Sequence, residues 1–139
     1  MSGVLFLGVS ASARAPLAEA IARHLDPERP MWSAGARPSH VRPEVRAVLR
    51  EVGIATDGLR ARGLVEVPLE EVGLVVTLAD PASCPRVPGG RPQVAWRLPD
   101  PSSAPREEAL EAFRATRDEL LRRLPALLRG EISAGAGAR

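Results

Sequence analysis

Seven residues, Gly8-Val9-Ser10-Ala11-Ser12-Ala13-Arg14, combine the features of an oxyanion-binding loop. They follow the apolar run Val4-Leu5-Phe6-Leu7 and lead into the helical stretch Pro16-Leu17-Ala18-Glu19-Ala20-Ile21-Ala22. A strand, a tight loop of small residues, an arginine and a helix start place free backbone N–H groups and the positive end of a helix dipole where an anion can sit. The guanidinium of Arg14 adds a planar, bidentate donor suited to the oxygens of an anion. Chemistry at such a loop needs an attacking group, and position 8 is glycine. The nearest hydroxyls, Ser10 and Ser12, have no base beside them in sequence, so their ordinary role is local hydrogen bonding within the loop.

Other chemistry-bearing residues are few. Asp100 precedes Pro101 and reads as a turn residue capping the path to the last helix. Cys84 is the only cysteine. It permits no intramolecular disulfide, and a single thiol with no clustered histidines gives no metal set, so neither a metal nor a cofactor is expected. His24 and His40 lie outside the loop and read as structural or exposed. Arg14 itself has an ordinary reading as a surface or helix-capping arginine.

Elements to position these residues can be read from periodicity. Gly3 to Leu7 predicts a buried strand, and Pro16 to Leu25 a helix stopped by Asp26-Pro27. Met31 to Ala34 predicts a second strand ended by Gly35. Val45, Val48, Leu49 and Val52 are spaced helically between Arg42 and Val52, with Pro43 in the first turn and Gly53 as the C-terminal cap. Val67 to Glu71 predicts a short helix, and Gly73 to Leu78, which lacks polar alternation, a strand covered on both faces. A Pro/Gly-rich connection from Pro81 to Pro92 leads to a fourth strand at Val94 to Trp96. The last helix is expected from about Arg106 to Leu128, with Leu110, Phe113, Leu120, Leu121, Leu124 and Leu127 facing inward and Pro125 kinking it or ending it early. Residues 1–130 are expected to form one domain and 131–139 a flexible tail.

Strands alternating with helices imply a three-layer α/β/α architecture around a four-stranded parallel sheet of flavodoxin-like order 2-1-3-4. The switch point then lies between the first and third strands. The loop at Gly8 to Arg14 faces the segment Ala79 to Cys84 there, which is where ligands of such sheets bind.

The 139 residues carry 19 arginines, no lysine and 17 acidic residues, a formal net charge of +2. This balance and the scarcity of aromatics argue against nucleic acid. No apolar run suits a membrane span, and with no secretory segment the expected setting is cytoplasmic. Absence of Lys, Asn and Tyr beside abundant Arg, Ala, Pro and Gly fits a GC-rich genome and is compatible with a thermophile.

With these segments in hand, the chain resembles the low-molecular-weight protein tyrosine phosphatases and their thioredoxin-coupled arsenate reductase branch. That family's signature, Cys-x5-Arg-Ser after the first strand, aligns onto Gly8 through Ala15. Ser33-Ala34-Gly35, Arg42-Pro43-Glu44, Leu49 to Ile54, Leu74 to Leu78 and Leu98-Pro99-Asp100-Pro101 match in the same order. In such enzymes a cysteine thiolate attacks phosphorus or arsenic, the loop amides and arginine hold the oxygens, and the aspartate protonates the leaving group. The resemblance therefore implies an oxyanion clamp at Arg14 and a general-acid position at Asp100. Gly8 stands where the nucleophile belongs.

Ala11 replaces the asparagine that shapes the loop, Ala15 the serine that stabilises the thiolate, and Ala79 the first of two later redox cysteines, with Cys84 near the second. A lone thiol cannot complete that relay. Departures at Gly8, Ala11, Ala15 and Ala79 together suggest a protein that has given up cysteine-based catalysis. It would keep the loop for binding phosphate, a similar oxyanion or a phosphorylated ligand. Two alternatives stay open: residual phosphatase or arsenate reductase activity through Asp100 and Arg14 with a non-cysteine nucleophile, and a protein-interaction module whose pocket is vestigial.

Overall fold

The computed structural model describes residues 2–131. Its elements, in chain order, are β1 (Gly3–Leu7), α1 (Arg14–Leu25), β2 (Met31–Gly35), α2 (Pro43–Glu51), β3 (Arg62–Gly63), β4 (Val72–Thr77), β5 (Gln93–Ala95) and α3 (Ala109–Leu128). The strands form one parallel sheet of order β3-β2-β1-β4-β5. The expected order of four strands is preserved, and β3 extends it at one edge to five. β3 pairs only Arg62 and Gly63 with Ala34 and Gly35. Two residues without an apolar run carry no strand signal.

β1 is buried along its whole length between β2 and β4, and its alternate side chains enter two cores. Val4 and Phe6 point to the face covered by α1, α2 and α3, where they join Leu17, Ile21, Val48, Leu49, Phe113 and Leu120. Leu5 and Leu7 point to the other face, with Val67, Val72, Val75 and Val87. The architecture is the expected three-layer α/β/α type. Its second outer layer is thinned to 3-10 turns at Leu64–Glu66, Leu69–Glu71 and Pro81–Ser83 with their connecting loops, so the short helix expected at Val67 to Glu71 is reduced to the single turn Leu69–Glu71, with Val67 extended before it.

α3 begins at Ala109 after a 3-10 turn at Arg106–Glu108 and runs through Pro125 to Leu128. Pro125 does not end it early: its missing N–H falls in the last turns, and Arg129 N–H bonds the Pro125 carbonyl at 3.1 Å. The buried stripe passes through Ala109, Phe113, Thr116, Arg117, Leu120, Leu124 and Leu127. Leu110 sits about 100° round from Ala109 and is exposed, contrary to its expected inward position. Leu121 is half-buried against the same core. Of the expected tail 131–139, all but Glu131 lies outside the described residues.

From β1 the chain passes through α1 to β2 and through α2 to β3, then returns to the opposite side of β1 as β4. The reversal of strand order therefore falls between β1 and β4, as the sequence implied. The segments following these two strands meet at one end of the sheet: Leu78 N–H bonds the Leu7 carbonyl at 2.8 Å.

Candidate oxyanion site

Residues 8–13 leave β1 in a loop whose outward groups are tied to neighbouring elements. Gly8 N–H donates to the Ala34 carbonyl at 3.1 Å, the Val9 carbonyl accepts from Ala36 N–H at 3.2 Å, and the Ser12 carbonyl accepts from Arg42 N–H at 2.9 Å. Among the described residues, no acceptor is bonded to the N–H of Val9, Ser10, Ala11, Ser12 or Ala13. α1 starts immediately afterwards, with no side-chain cap at Ala13 and no acidic residue in its first turn. Its positive end therefore faces the loop uncompensated.

Two positions show how tightly this loop is drawn. Ala11 has φ 53°, in the left-handed region that costs an alanine about 1 kcal/mol. Asparagine tolerates that region better, which gives physical content to the loop-shaping role that the resemblance assigned to this position. Gly35, at the end of β2, has no room for a side chain: a Cβ there would lie 2.7 Å from both Cα and C of Ser10. The absence of that carbon lets β2 support the loop backbone directly.

The loop, Arg14, Ala15 and Asp100 line one cavity of about 220 Å³. Arg14 is anchored from below, its Nη1 donating to the Leu98 carbonyl at 2.8 Å and to the Leu78 carbonyl at 3.4 Å. Its Nη2 lies 3.9 Å from Asp100 Oδ2. Asp100 caps the 3-10 turn Pro101–Ser103, where its Oδ1 accepts from Ser102 N–H at 3.0 Å and Ser102 Oγ–H at 2.7 Å. Asp100 is thus a turn-capping residue through Oδ1, with Oδ2 left on the side of Arg14.

Ser10 and Ser12 bond each other through their hydroxyls at 3.0 Å, and among the described residues neither meets a carboxylate or imidazole. At Gly8 a Cβ would find ordinary contacts only, 3.7 Å from Ala11 N and 3.8 Å from Ala15 Cβ. Cys84 packs against the second core with its Sγ 4.0 Å from the Leu7 carbonyl. Burial pushes its thiol above the ordinary value, against weaker opposing effects of the Ala79 backbone and Arg14. It does not line the cavity. His24 and His40 are exposed and away from it.

Sequence reasoning missed Glu19. This carboxylate is fully buried in α1, where Oε1 accepts from Ser33 Oγ at 2.6 Å and from Arg62 Nη1 at 3.1 Å, while Arg23 pairs with Oε2. It ties the helix that carries Arg14 to β2 and β3. Its only local signal is a charge set in the apolar pattern of α1, four residues before Arg23.

Two larger depressions carry less chemistry. One of 420 Å³ contains Arg46, Arg60 and Arg62, which are engaged by the Leu59 carbonyl, Glu66 and Glu19. The other, of 620 Å³, lies between α3 and the segment 97–104 and meets the oxyanion cavity at Asp100. No group of three or more metal-ligating side chains is found among the described residues, and no described helix is long and apolar enough to cross a membrane.

These elements make a three-layer α/β protein whose candidate site is a small-residue loop closed by an arginine at the sheet's switch point. Residues 3–135 match the family model described as low molecular weight phosphotyrosine protein phosphatase, and the chain belongs to that family. Solved structures agree in fold. An arsenate reductase in its oxidized state is 26% identical over 95% of this chain and 100% of its own, with TM-score 0.78. An arsenate reductase in its phosphate-binding state is 24% identical over the same shares, with TM-score 0.75. The tyrosine phosphatase Wzb from Escherichia coli K30, in complex with sulphate, is 16% identical over 93% of this chain and 97% of its own, with TM-score 0.76. No match is found among curated protein sequences.

Proposed function

We propose that this chain binds a phosphate- or arsenate-type oxyanion at the loop Gly8 to Arg14 and has lost the cysteine-based turnover of its family. The observation that carries the reading is the cavity itself: five unpaired amides, the start of α1 and an anchored Arg14 surround it, while Gly8 supplies no side chain to attack. Val9, Ser10, Ala11, Ser12 and Ala13 hold oxygens through their backbone, and Arg14 clamps them. Gly8 and Asp100 keep the positions of nucleophile and general acid. Cys84 has no partner thiol for a redox relay, and such a half-buried single cysteine fits a cytoplasmic setting.

Calorimetric titration of phosphate and arsenate into the protein and its Arg14→Ala variant tests the reading. Saturable binding that disappears in the variant supports it; absence of binding to the wild-type protein overturns it and leaves the interaction-module alternative. A second reading, residual hydrolysis by Asp100 and Arg14 with a non-cysteine nucleophile, draws on the 3.9 Å approach of Asp100 Oδ2 to Arg14. It requires phosphate release that is lost in both Arg14→Ala and Asp100→Ala. Equal rates in all three proteins eliminate it.

A further inference from the structure

We infer that Asp100 makes this site selective for oxyanions that carry their own hydroxyl, namely free phosphate and arsenate, over sulfate and over the dianions of phosphate monoesters. The inference rests on the oxyanion reading above and narrows its ligand class. Asp100 lines the cavity, and it is not free to turn away: Ser102 N–H and Oγ–H both hold Oδ1, which leaves Oδ2 beside Arg14 Nη2. As a carboxylate it can only accept hydrogen bonds. A ligand oxygen bearing a proton can donate to Oδ2. A bare oxygen in the same place meets it as two acceptors of like charge with no proton between them.

The chemical consequence separates ligands of nearly the same shape and charge. Hydrogen phosphate and hydrogen arsenate retain an O–H as dianions. Sulfate has none, and a phosphate monoester loses its own above a pH of about 6. In a family member with a nucleophile the proton of the corresponding acid belongs to turnover. Here, with glycine at position 8, the same fixed carboxylate reads the proton on the ligand.

The test is calorimetry at about pH 8, where the monoester is fully ionised, with phosphate, arsenate, sulfate and phenyl phosphate as probes. The wild-type protein is expected to bind phosphate and arsenate at least about tenfold more tightly than sulfate or phenyl phosphate, the scale of one charge-assisted hydrogen bond against a repulsive contact. In Asp100→Asn the amide oxygen can still cap Ser102 while its NH2 donates to the ligand, so sulfate and phenyl phosphate gain and the ratio collapses. Ser102→Ala removes one of the two bonds holding the carboxylate and narrows the ratio without changing the charge.

Equal affinity of the wild-type protein for phosphate and sulfate, or a ratio unchanged in both variants while Arg14→Ala still abolishes binding, overturns the selectivity and leaves the oxyanion site standing. Failure of every probe to bind the wild-type protein overturns both.

Discussion

Arg14 Nη1 donates to the Leu98 carbonyl at 2.8 Å, so the guanidinium that faces the oxyanion loop is held by the chain just beyond β5. The same nitrogen reaches the carbonyl of Leu78, directly after β4. One planar group thereby joins α1 to two strand ends and still presents Nη2 to the cavity. Lysine has a single nitrogen at the end of a flexible stem and cannot do both. Arg14→Lys is expected to keep the fold and to lose at least about tenfold in phosphate affinity, the scale of a charge-assisted bidentate contact. Calorimetry beside a thermal melt checks it; unchanged affinity would show that the arginine does not touch the ligand.

The space at Gly8 admits a cysteine side chain. A Cβ there has no contact closer than 3.7 Å, and a thiol on it would stand among unpaired amides at a helix start, where thiolates are stabilised. Ala15→Ser sets a hydroxyl beside it, since the Ala15 Cβ lies 3.8 Å from that Cβ position. Ala11→Asn relaxes the backbone now held at φ 53°. Gly8→Cys alone is expected to hydrolyse an aryl phosphate weakly, and the triple variant at least about tenfold faster, as fits removal of about 1 kcal/mol of loop strain and added thiolate stabilisation. A folded triple variant that releases no phosphate would show that the loop no longer holds the geometry of a catalytic one.

What the sequence made legible follows from how local each signal is. The apolar runs of β1 and β4 and the small residues from Gly8 to Ala13 are contiguous, so the loop after β1 and the sheet reversal beside it could be read directly. β3 could not, because Arg62 and Gly63 become a strand only through pairing with Ala34 and Gly35. Glu19 was illegible for a related reason. Its partners Ser33 and Arg62 lie 14 and 43 residues away, and a glutamate in a helix reads by default as solvated. Leu110 departs in the other direction: by spacing an apolar residue at a helix start belongs to the buried stripe, yet packing passes that stripe through Ala109 and leaves Leu110 exposed.

That buried carboxylate is a stability determinant. Removing it leaves the Arg62 and Arg23 charges without their shared partner and the Ser33 hydroxyl, itself fully buried, without an acceptor. Glu19→Ala is expected to cost about 3–5 kcal/mol, the scale for breaking a buried pair. Chemical denaturation provides the measurement. A loss below about 1 kcal/mol would mean that water replaces the carboxylate, as it does at exposed pairs.

Gly35 is predicted to matter for the loop more than for the sheet. Its missing Cβ is the space occupied by Ser10 Cα and C, at 2.7 Å, and by Ala11 N at 2.9 Å. These are backbone atoms and cannot rotate aside. Gly35→Ala is expected to destabilise the protein by about 1–3 kcal/mol, as overpacking does, and to weaken oxyanion binding by displacing the amides of the loop. Wild-type phosphate affinity in a folded Gly35→Ala protein would contradict the dependence of the site on this approach.

The junction of α2 and α3 gives a prediction with a defined pH window. Arg114 donates to both oxygens of Glu51, and Arg117 donates to Glu51 Oε1 at 2.7 Å and to the Val48 carbonyl at 2.9 Å. Hydrogen bonds from Arg114 and then Arg117 lower the Glu51 carboxyl from 4.5 to about 2. Because the folded value lies below the unfolded one, folding favours the ionised form. The stabilisation is fully present above about 4.5 and is lost as pH falls toward 2. Glu51→Gln should therefore melt below the wild-type protein near neutral pH, with the two melting temperatures converging between those limits. A constant difference across that range would place the effect of the substitution in packing and not in the ionisation of Glu51.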